Sequence, residues 1–322
     1  MQPLLQFTNL LSNFDRTFFQ LFWRNLYFHK TIAMKTLFFV FSLFPAGLFT
    51  AYCQEGMASE NFVFGEWPKD SERETAIVFS DICNVRREPD ARSEIVGKLT
   101  IDTDVKILKI TDTELKLNGI TSPWIRISAD TLTGYVWGGT LTSERLKLAD
   151  GRSLLWGLTE VKMVDGSEAP HISLRVAENG AVQTKADFVS QYGDRMNGGT
   201  ITVYPAPQLE GIEHLIIYEI PAFACGVYAS IHYFLYSEGQ LPTVGDGYAM
   251  GDGGVLHESL TYTFPYPPSE PELRDYHYVA EEGHILRIEN AGGYDDDCIW
   301  VETTKAADFT WDGTSLVKAC NE

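Results

Sequence analysis

The chain has 322 residues, of which 44% are hydrophobic, and it carries a formal net charge of −19. This length holds about two domains of ordinary size, and the hydrophobic fraction is that of a globular chain, which excludes a disordered one. Because the charge is acidic and no stripe of lysine and arginine is present to neutralise phosphates, we expect no nucleic-acid partner.

The N-terminal region predicts export. Residues 34–53 combine a short basic start, the apolar run LFFVFSLFPAGLFTA and a small-residue end, the pattern of a secretory signal peptide cleaved before Gln54. The apolar run is short for a membrane helix and is interrupted by Pro45, although a membrane anchor is the alternative. Residues 1–33 would precede this signal. We interpret them as a wrongly included upstream start, the alternative being a second anchor. The mature protein is then periplasmic or extracellular, with no stable membrane span.

Cysteine usage is consistent with export. Besides Cys53, the chain has Cys83, Cys225, Cys298 and Cys320, an even number that suits disulfides in an oxidising compartment. Three pairings are open. Because Cys298 and Cys320 flank a predicted hairpin, we expect a bridge between them first. Cys83 lies on the apolar side of a predicted strand, where a buried free thiol is the alternative.

The chain becomes strand-rich after a polar, aperiodic stretch at 54–74 that we interpret as a linker. Between residues 75 and 148, short apolar runs alternate with turns rich in Asp, Gly and Pro. The runs are IVF, ICNVR, EIVGKL, VKILKI, PWIRI and GYVWGG. Many short strands at close spacing predict a small barrel or sandwich.

The segment NVRREPDARSEIVGKLTIDTDVKIL resembles the bacterial SH3-like barrel. It has that family's Asn-hydrophobic-Arg opening, a proline in the next loop and a hydrophobic-glycine strand. The family's later strands follow in order as Trp124-Ile125-Arg126-Ile127 and Gly134-Tyr135-Val136-Trp137. Cys83 and the insert TDTELKLNGITSP before Trp124 depart from the family pattern. The resemblance covers residues 75–148 and implies an SH3-like barrel there.

The resemblance also implies a ligand surface beside the loop after the first strand. Its charged and aromatic members are Arg86, Arg87, Glu88, Tyr135 and Trp137. Tyrosine and tryptophan offer broad contact area at low entropic cost, and arginine offers a fork for carboxylates. The alternative is that the aromatic residues fill the barrel, as we expect for Trp124, because small barrels have interiors just wide enough for side chains.

Residues 150–322 also predict β structure, since β-branched and aromatic segments are separated by Gly and Asp turns and none shows a helical period. Two stretches, which begin at His214 and His284, have the same order of features: a strand, a loop, a cysteine and an aromatic-rich strand. A third, less similar copy begins at Leu154. This plan predicts an internal repeat of about 60–70 residues. We therefore expect an all-β protein in which a larger β-sandwich or open β-sheet domain follows the barrel.

Other chemistry has less support in the sequence. Asp295, Asp296 and Asp297 form a compact acidic loop that offers carboxylates to calcium, but the EF-hand spacing is missing, and a solvated turn is the alternative. Cys225 and His232 are the candidate nucleophile and base of a cysteine peptidase, although no predicted helix carries the cysteine. The histidines are too scattered for a zinc site. We expect neither a metal nor a cofactor.

These observations predict an exported, non-catalytic binding protein of the cell envelope. Its SH3-like barrel would recognise cell-wall peptide or glycan, or an envelope protein. The alternative is a cell-wall hydrolase whose active site lies in the C-terminal half.

Overall fold

β-Strands account for nearly all of the regular structure. The computed structural model describes residues 57–58, 67, 73–164, 167–189, 199–222, 224–237, 239–275, 277–295 and 298–319. No α-helix occurs among them, and within the same residues no helix is long and apolar enough to cross a membrane. The prediction of an all-β fold is confirmed. The predicted upstream segment and signal peptide lie outside the described residues.

The strands form three antiparallel sheets. In chain order they are β1 (Met57–Ala58), β2 (Thr75–Val78), β3 (Ile82–Arg86), β4 (Ile95–Thr100), β5 (Asp104–Leu117), β6 (Ile120–Ala129), β7 (Leu132–Trp137), β8 (Leu141–Thr142), β9 (Leu146–Lys147), β10 (Ser153–Val164), β11 (Ser167–Glu178), β12 (Ala181–Val189), β13 (Thr200–Pro205), β14 (His214–Ile220), β15 (Ala229–Tyr236), β16 (Thr243–Asp252), β17 (Leu256–Thr263), β18 (His284–Tyr294), β19 (Trp300–Trp311) and β20 (Leu316–Lys318). Two 3₁₀ helices lie at Gly138–Thr140 and Pro271–Leu273.

The first sheet is a curled half-barrel of seven strands in the order β4-β3-β7-β6-β5-β2-β8. The predicted barrel range, 75–148, contains all of them. Side chains alternate across each strand, so Cys83 and Val85 of β3 are buried inside the curl while Asn84 between them is exposed. Ile125 and Ile127 of β6 face the same interior.

The predicted linker contributes to the fold at the few positions that the structure describes. Met57 and Ala58 form β1, which pairs with Val203 and Thr202 of β13. Trp67 is 5% exposed and belongs to the half-barrel core. Its Nε1 donates a hydrogen bond of 3.1 Å to the Gly138 carbonyl.

The long insert before Trp124 forms the tip of the β5–β6 hairpin. Asn118 and Gly119 both have positive φ, as the commonest two-residue hairpin turn requires. The hairpin tip meets β10, where the Val161 amide donates a hydrogen bond of 2.9 Å to the Asn118 carbonyl. The insert thereby connects the half-barrel to the next sheet.

The second sheet has four strands, β12-β11-β10-β9, and the first part of β10 is buried on both faces. Leu155 packs with Phe79 of the half-barrel on one face. Leu154 and Trp156 pack on the opposite face, against the third sheet. Burial of both faces explains the continuous apolar run at the start of β10, because a strand covered on one face only would alternate.

The third sheet has nine strands, with β1 at one edge followed by β13 to β20 in sequential order. One of its faces packs on the second sheet through Phe234 and Tyr236 of β15. The opposite face carries Tyr233 and Leu235 of the same strand. His214 and His284, which open the two predicted repeats, begin β14 and β18 of this sheet.

Arg175 of β11 connects the second sheet to the half-barrel. Its Nη1 donates to the Phe79 carbonyl and to Asp81 Oδ1, both at 2.9 Å. The guanidinium lies 4.3 Å from the centroid of the Phe79 ring, a distance at which cation–π attraction operates. The described residues of Gln54–Glu322 accordingly form one compact unit.

Candidate functional site

The outer face of the seven-stranded sheet is covered at one end. Trp124 and Trp137 lie opposite each other on β6 and β7 and are 4% and 8% exposed. Both pack in a cluster with Val161 of β10 and Leu115 of the hairpin insert. Trp137 Nε1 donates hydrogen bonds of 3.0 Å to the Leu115 carbonyl and 3.2 Å to the Ser122 carbonyl.

This burial corrects two predictions. Trp137 does not contribute to an exposed ligand surface, because the hairpin insert and β10 cover its indole. Trp124 is buried as predicted, but on the opposite side of its strand from the half-barrel core that holds Ile125. Both tryptophans lie on the side of the sheet opposite to Ile125, as side-chain alternation requires. The sequence did not indicate that β10 covers that side.

The other end of the same face is open and basic. Arg86, Tyr135, Arg126 and Lys109 lie directly opposite one another on the adjacent strands β3, β7, β6 and β5. Directly paired residues of an antiparallel sheet project from the same face. Arg126 and Lys109 are exposed, and Arg86 and Tyr135 are half-buried. We refer to these four residues as the basic row.

The basic row places two exposed cations side by side. Lys109 and Arg126 face each other directly, an arrangement of like charges that destabilises a sheet. Within the part of the chain that the structure describes, neither forms an ion pair. Residues 75–148 contain ten Lys and Arg and ten Asp and Glu, so the whole net charge of −19 lies elsewhere. A row of cations on a neutral half-barrel suits an anionic group.

The β3–β4 loop borders the basic row. Arg86 Nη1 donates a hydrogen bond of 2.6 Å to the Ser93 carbonyl, and Ser93 Oγ accepts one of 2.9 Å from the Glu88 amide. Arg87 Nη2 lies 2.8 Å from Glu94 Oε2, with both side chains almost two-thirds exposed. Of the predicted surface, Arg86 and Tyr135 therefore come together in the row, and Arg87 and Glu88 lie on the loop beside it.

Comparison with known proteins identifies this sheet. Residues 80–142 match the bacterial SH3 domain. The match confirms the resemblance seen in the sequence, and it includes all four residues of the basic row. The chain matches no curated protein and no solved structure.

Sequence reasoning missed two members of the row within the bacterial SH3 domain. Arg126 alternates with the buried Ile125 and Ile127, so its outward direction is readable from the strand pattern. Lys109 has no such signal, because β5 shifts register between Ile107 and Lys109. Only the pairing of β5 with β6 brings the two cations together.

Cys83 lies in the core of the bacterial SH3 domain. Its Sγ is 3.1 Å from Thr140 Oγ1, and burial raises the pKa of the thiol to about 11. A thiol in this state is a poor nucleophile, since the thiolate is the reactive form. The interpretation of Cys83 as a buried free thiol is confirmed.

Asp295 and Cys298, from the predicted calcium and disulfide sites, lie at the β18–β19 turn. Cys298 is a free, exposed thiol with a φ of 59°. Cys298 carries no bridge in the structure, so the predicted Cys298–Cys320 disulfide is not shown; Cys320 itself lies outside the described residues. Asp295 Oδ1 accepts a hydrogen bond of 2.8 Å from the Ile299 amide across the β18–β19 turn. Asp296 and Asp297 are not described, and the described residues contain no cluster of metal-ligating side chains.

A Ser-His-Asp arrangement, which the sequence analysis did not anticipate, lies in β15 and β16. Ser230 Oγ is 2.9 Å from His232 Nε2, and His232 Nδ1 is 2.7 Å from Asp246 Oδ1. Ser230 and His232 are each 2% exposed, while the Asp246 side chain is 67% exposed. A nucleophilic serine must reach its substrate. Here the hydroxyl is enclosed and the carboxylate is open, so the arrangement satisfies the hydrogen bonds of a buried histidine.

The same contacts bear on the predicted cysteine nucleophile. Cys225 lies in an exposed turn between β14 and β15. Both ring nitrogens of His232 are engaged by Ser230 and Asp246. The pairing of Cys225 with His232 that a cysteine peptidase needs is not formed.

Proposed function

We propose that this is an exported, non-catalytic binding protein of the cell envelope, whose bacterial SH3 domain holds carboxylates of cell-wall peptide or glycan on the basic row. Bacterial SH3 domains are modules that often bind cell-wall components. The observation that carries the proposal is the row itself, three cations in register on the matched domain.

The residue types of the row suit such a ligand. Arg126 offers a planar fork that binds carboxylates through paired hydrogen bonds, and Arg86, whose Nη1 already donates to the Ser93 carbonyl, adds positive charge beside it. Tyr135 lies between them; its half-buried ring packs against the tryptophan cluster on one side and offers its exposed part for apolar contact. Lys109 extends the positive charge along the same face. A short chain that carries carboxylates at intervals would meet all four side chains.

Charge distribution also favours the half-barrel as the approaching surface. The net charge of −19 lies outside residues 75–148. An anionic polymer is repelled by the acidic residues outside 75–148. The half-barrel has no net charge and does not repel it, so the polymer can approach the basic row. Because exposed charges are screened by salt, we expect this binding to weaken as ionic strength rises.

A sedimentation assay with purified cell-wall material tests the row. We expect Lys109→Ala and Arg126→Ala each to weaken binding about fivefold, the loss typical of one exposed ionic contact. Lys116→Ala is the matched control, because it removes the same charge from the same strand at an exposed position outside the row. Equal binding by Lys109→Ala and Lys116→Ala would contradict a role of the basic row in binding.

The same incubation separates binding from hydrolysis. A binding protein sediments with the wall and leaves the supernatant free of wall fragments. Release of soluble fragments by the purified wild-type protein would replace this proposal by the hydrolase alternative. Cell fractionation and N-terminal sequencing test export, for which we expect a mature protein in the envelope or medium that begins at Gln54.

A further inference from the structure

A long connection crosses the face of the nine-stranded sheet that lies away from the four-stranded sheet. This connection, residues 264–283, joins β17 to β18. It is held to the loop after β13 at both ends, because Gln208 donates to the Pro265 carbonyl at 2.7 Å and accepts from the Gly283 amide at 2.9 Å. Connections of this length in compact folds commonly carry function.

A cavity of about 220 Å³ opens between this connection and the sheet. Its walls are aromatic, and its rim is charged. We refer to it as the aromatic cleft and define it by the side chains of Tyr204, Tyr262, Phe264 and Tyr266, with Glu272 and Arg274 at the rim. No residue of the bacterial SH3 domain lines it.

The tyrosines combine apolar ring surface with neutral hydroxyl groups. Tyr204 and Tyr262 are half-buried, whereas Phe264 and Tyr266 are buried. Burial raises the pKa of Tyr204, Tyr262 and Tyr266. These phenols therefore stay protonated at physiological pH and act as uncharged donors and acceptors. The Tyr266 hydroxyl already donates a hydrogen bond of 2.9 Å to the Pro205 carbonyl.

The rim carries charges of both signs. Glu272 and Asp275 are exposed and Arg274 is half-buried, and all three belong to the segment around the second 3₁₀ helix. Asp275 Oδ1 already accepts hydrogen bonds from the His277 and Tyr278 amides. A ligand with a formal charge would meet a like charge on one side of the opening. A hydroxyl group can donate to a carboxylate and accept from a guanidinium, so a neutral polyhydroxylated ligand suits the whole rim.

The size of the cleft limits the ligand to a small unit. Pockets for drug-sized molecules usually measure about 300–1,000 Å³, and the cavity here is smaller. Its volume suits one six-membered ring. The aromatic walls favour a ring with an apolar face, because tyrosine side chains provide large, stiff contact surfaces. A pyranose has both the apolar face and the surrounding hydroxyl groups.

We propose that the aromatic cleft is a saccharide-binding site that holds one neutral sugar ring of a glycan, with the ring against Tyr204 and Tyr262 and its hydroxyl groups bonded at the Glu272 and Arg274 rim. This site lies on a different sheet from the basic row. The protein then contacts glycan at a position that does not depend on the bacterial SH3 domain.

Isothermal titration of the full chain with two neutral trisaccharides, maltotriose and tri-N-acetylchitotriose, tests this site. We expect saturable binding of at least one of them. Tyr204→Ala, which removes the ring, lowers affinity at least tenfold, and Tyr204→Phe, which removes only the hydroxyl, stays within about threefold. Tyr294→Ala is the matched control, because Tyr294 is exposed at the end of β18 and does not line the cleft. It leaves affinity unchanged.

A second variant keeps the test decisive where Tyr204→Ala does not fold. Arg274→Gln changes only the rim, and we expect it to weaken binding about fivefold or more. The proposal fails when neither saccharide binds saturably, or when Tyr204→Ala and Arg274→Gln both bind like the wild type. It also fails when Lys109→Ala abolishes saccharide binding and the cleft variants do not, since the sugar would then occupy the bacterial SH3 domain.

Discussion

Single residues of the basic row show a conflict between stability and binding. Lys109 and Arg126 lie directly opposite each other on β5 and β6, and both are exposed. Like charges in this position destabilise a sheet, whereas opposite charges stabilise it by about 0.2–1 kcal/mol. A protein selected only for stability would place an acid at one of the two positions. The pair of cations supports, at the residue scale, the proposal that this face meets a ligand.

Replacing one cation by an acid therefore separates the two roles. We expect Lys109→Glu to raise the free energy of unfolding by about 0.5 kcal/mol, because the new carboxylate faces Arg126. The same change lowers binding to cell-wall material. Urea denaturation measures the first effect and sedimentation the second. Lys116→Glu, which faces Thr121, is the control that leaves binding unchanged; a loss of stability in Lys109→Glu would contradict the expected pairing.

We expect the buried thiol of Cys83 to make the half-barrel less stable at alkaline pH. Burial raises the pKa of its thiol from an ordinary 9.0 to about 11. The neutral form therefore favours the folded state, and this contribution is present below pH 9 and lost as the pH rises through about 11. We expect the advantage of wild type over Cys83→Ala in unfolding free energy to shrink by about 2 kcal/mol from pH 9 to pH 11.

Urea denaturation under reducing conditions at several pH values measures this difference. Cys225→Ala serves as the control, because Cys225 is exposed. A constant difference between wild type and Cys83→Ala across the alkaline range would show that Cys83 ionises in the folded protein as it does in the unfolded chain.

At the scale of elements, the β5–β6 hairpin decides which part of the half-barrel face is open. Its tip meets Val161 of β10, and its strands carry Leu115 and Ile120 into the tryptophan cluster. The insert therefore covers Trp124 and Trp137 and leaves the basic row open. An insertion that lengthens a loop in the sequence acts in the structure as a partial cover of the sheet face.

A glycine at the hairpin tip is expected to control this packing. Gly119 has a φ of +80°, and an added Cβ would collide with the Val161 backbone. Gly313 has a φ of +95°, but an added Cβ there meets nothing within 4 Å. Both substitutions to alanine carry the left-handed strain of about 1–2 kcal/mol. We expect Gly119→Ala to be more destabilising than Gly313→Ala by about 1–3 kcal/mol, the range for overpacking.

Thermal and urea denaturation compare the two alanine variants directly. Iodide quenching of tryptophan fluorescence reports whether the hairpin has left β10, and we expect quenching to rise only in Gly119→Ala. Equal stability of the two variants would mean that contact with Val161 does not hold the hairpin in place.

At the scale of the whole molecule, the four-stranded sheet lies between the half-barrel and the nine-stranded sheet. Leu155 contributes to one interface and Leu154 to the other. Arg175 adds a polar connection to the half-barrel through Phe79 and Asp81. Because apolar surface is shared in this way, we expect residues 54–322 to unfold in one cooperative transition.

Arg175→Ala is expected to lower the free energy of unfolding by about 2–3 kcal/mol, since it removes charged hydrogen bonds from a side chain that is only 14% exposed. Arg87→Ala is the control, because its exposed ion pair with Glu94 contributes at most about 1 kcal/mol. Calorimetry checks both. Two separate transitions in the wild type would contradict the coupling of the half-barrel to the second sheet.

The sequence predicted the parts of this protein that depend on local pattern. Alternation along β3 and β6 and the turns between short runs were sufficient for the all-β class and for the resemblance to bacterial SH3 domains. The buried thiol of Cys83 followed from the same alternation. These features were accessible because side-chain direction in a strand has a period of two residues.

Contacts between sheets were decided only by the tertiary structure. Trp137 was predicted on the exposed surface, since nothing in its own strand indicates that β10 covers it. The basic row required the register of four strands, and the aromatic cleft required a connection that returns over its own sheet. A periodic pattern determines which way a side chain points. What it meets there depends on segments far away in the chain, because packing and burial are properties of the assembled sheets.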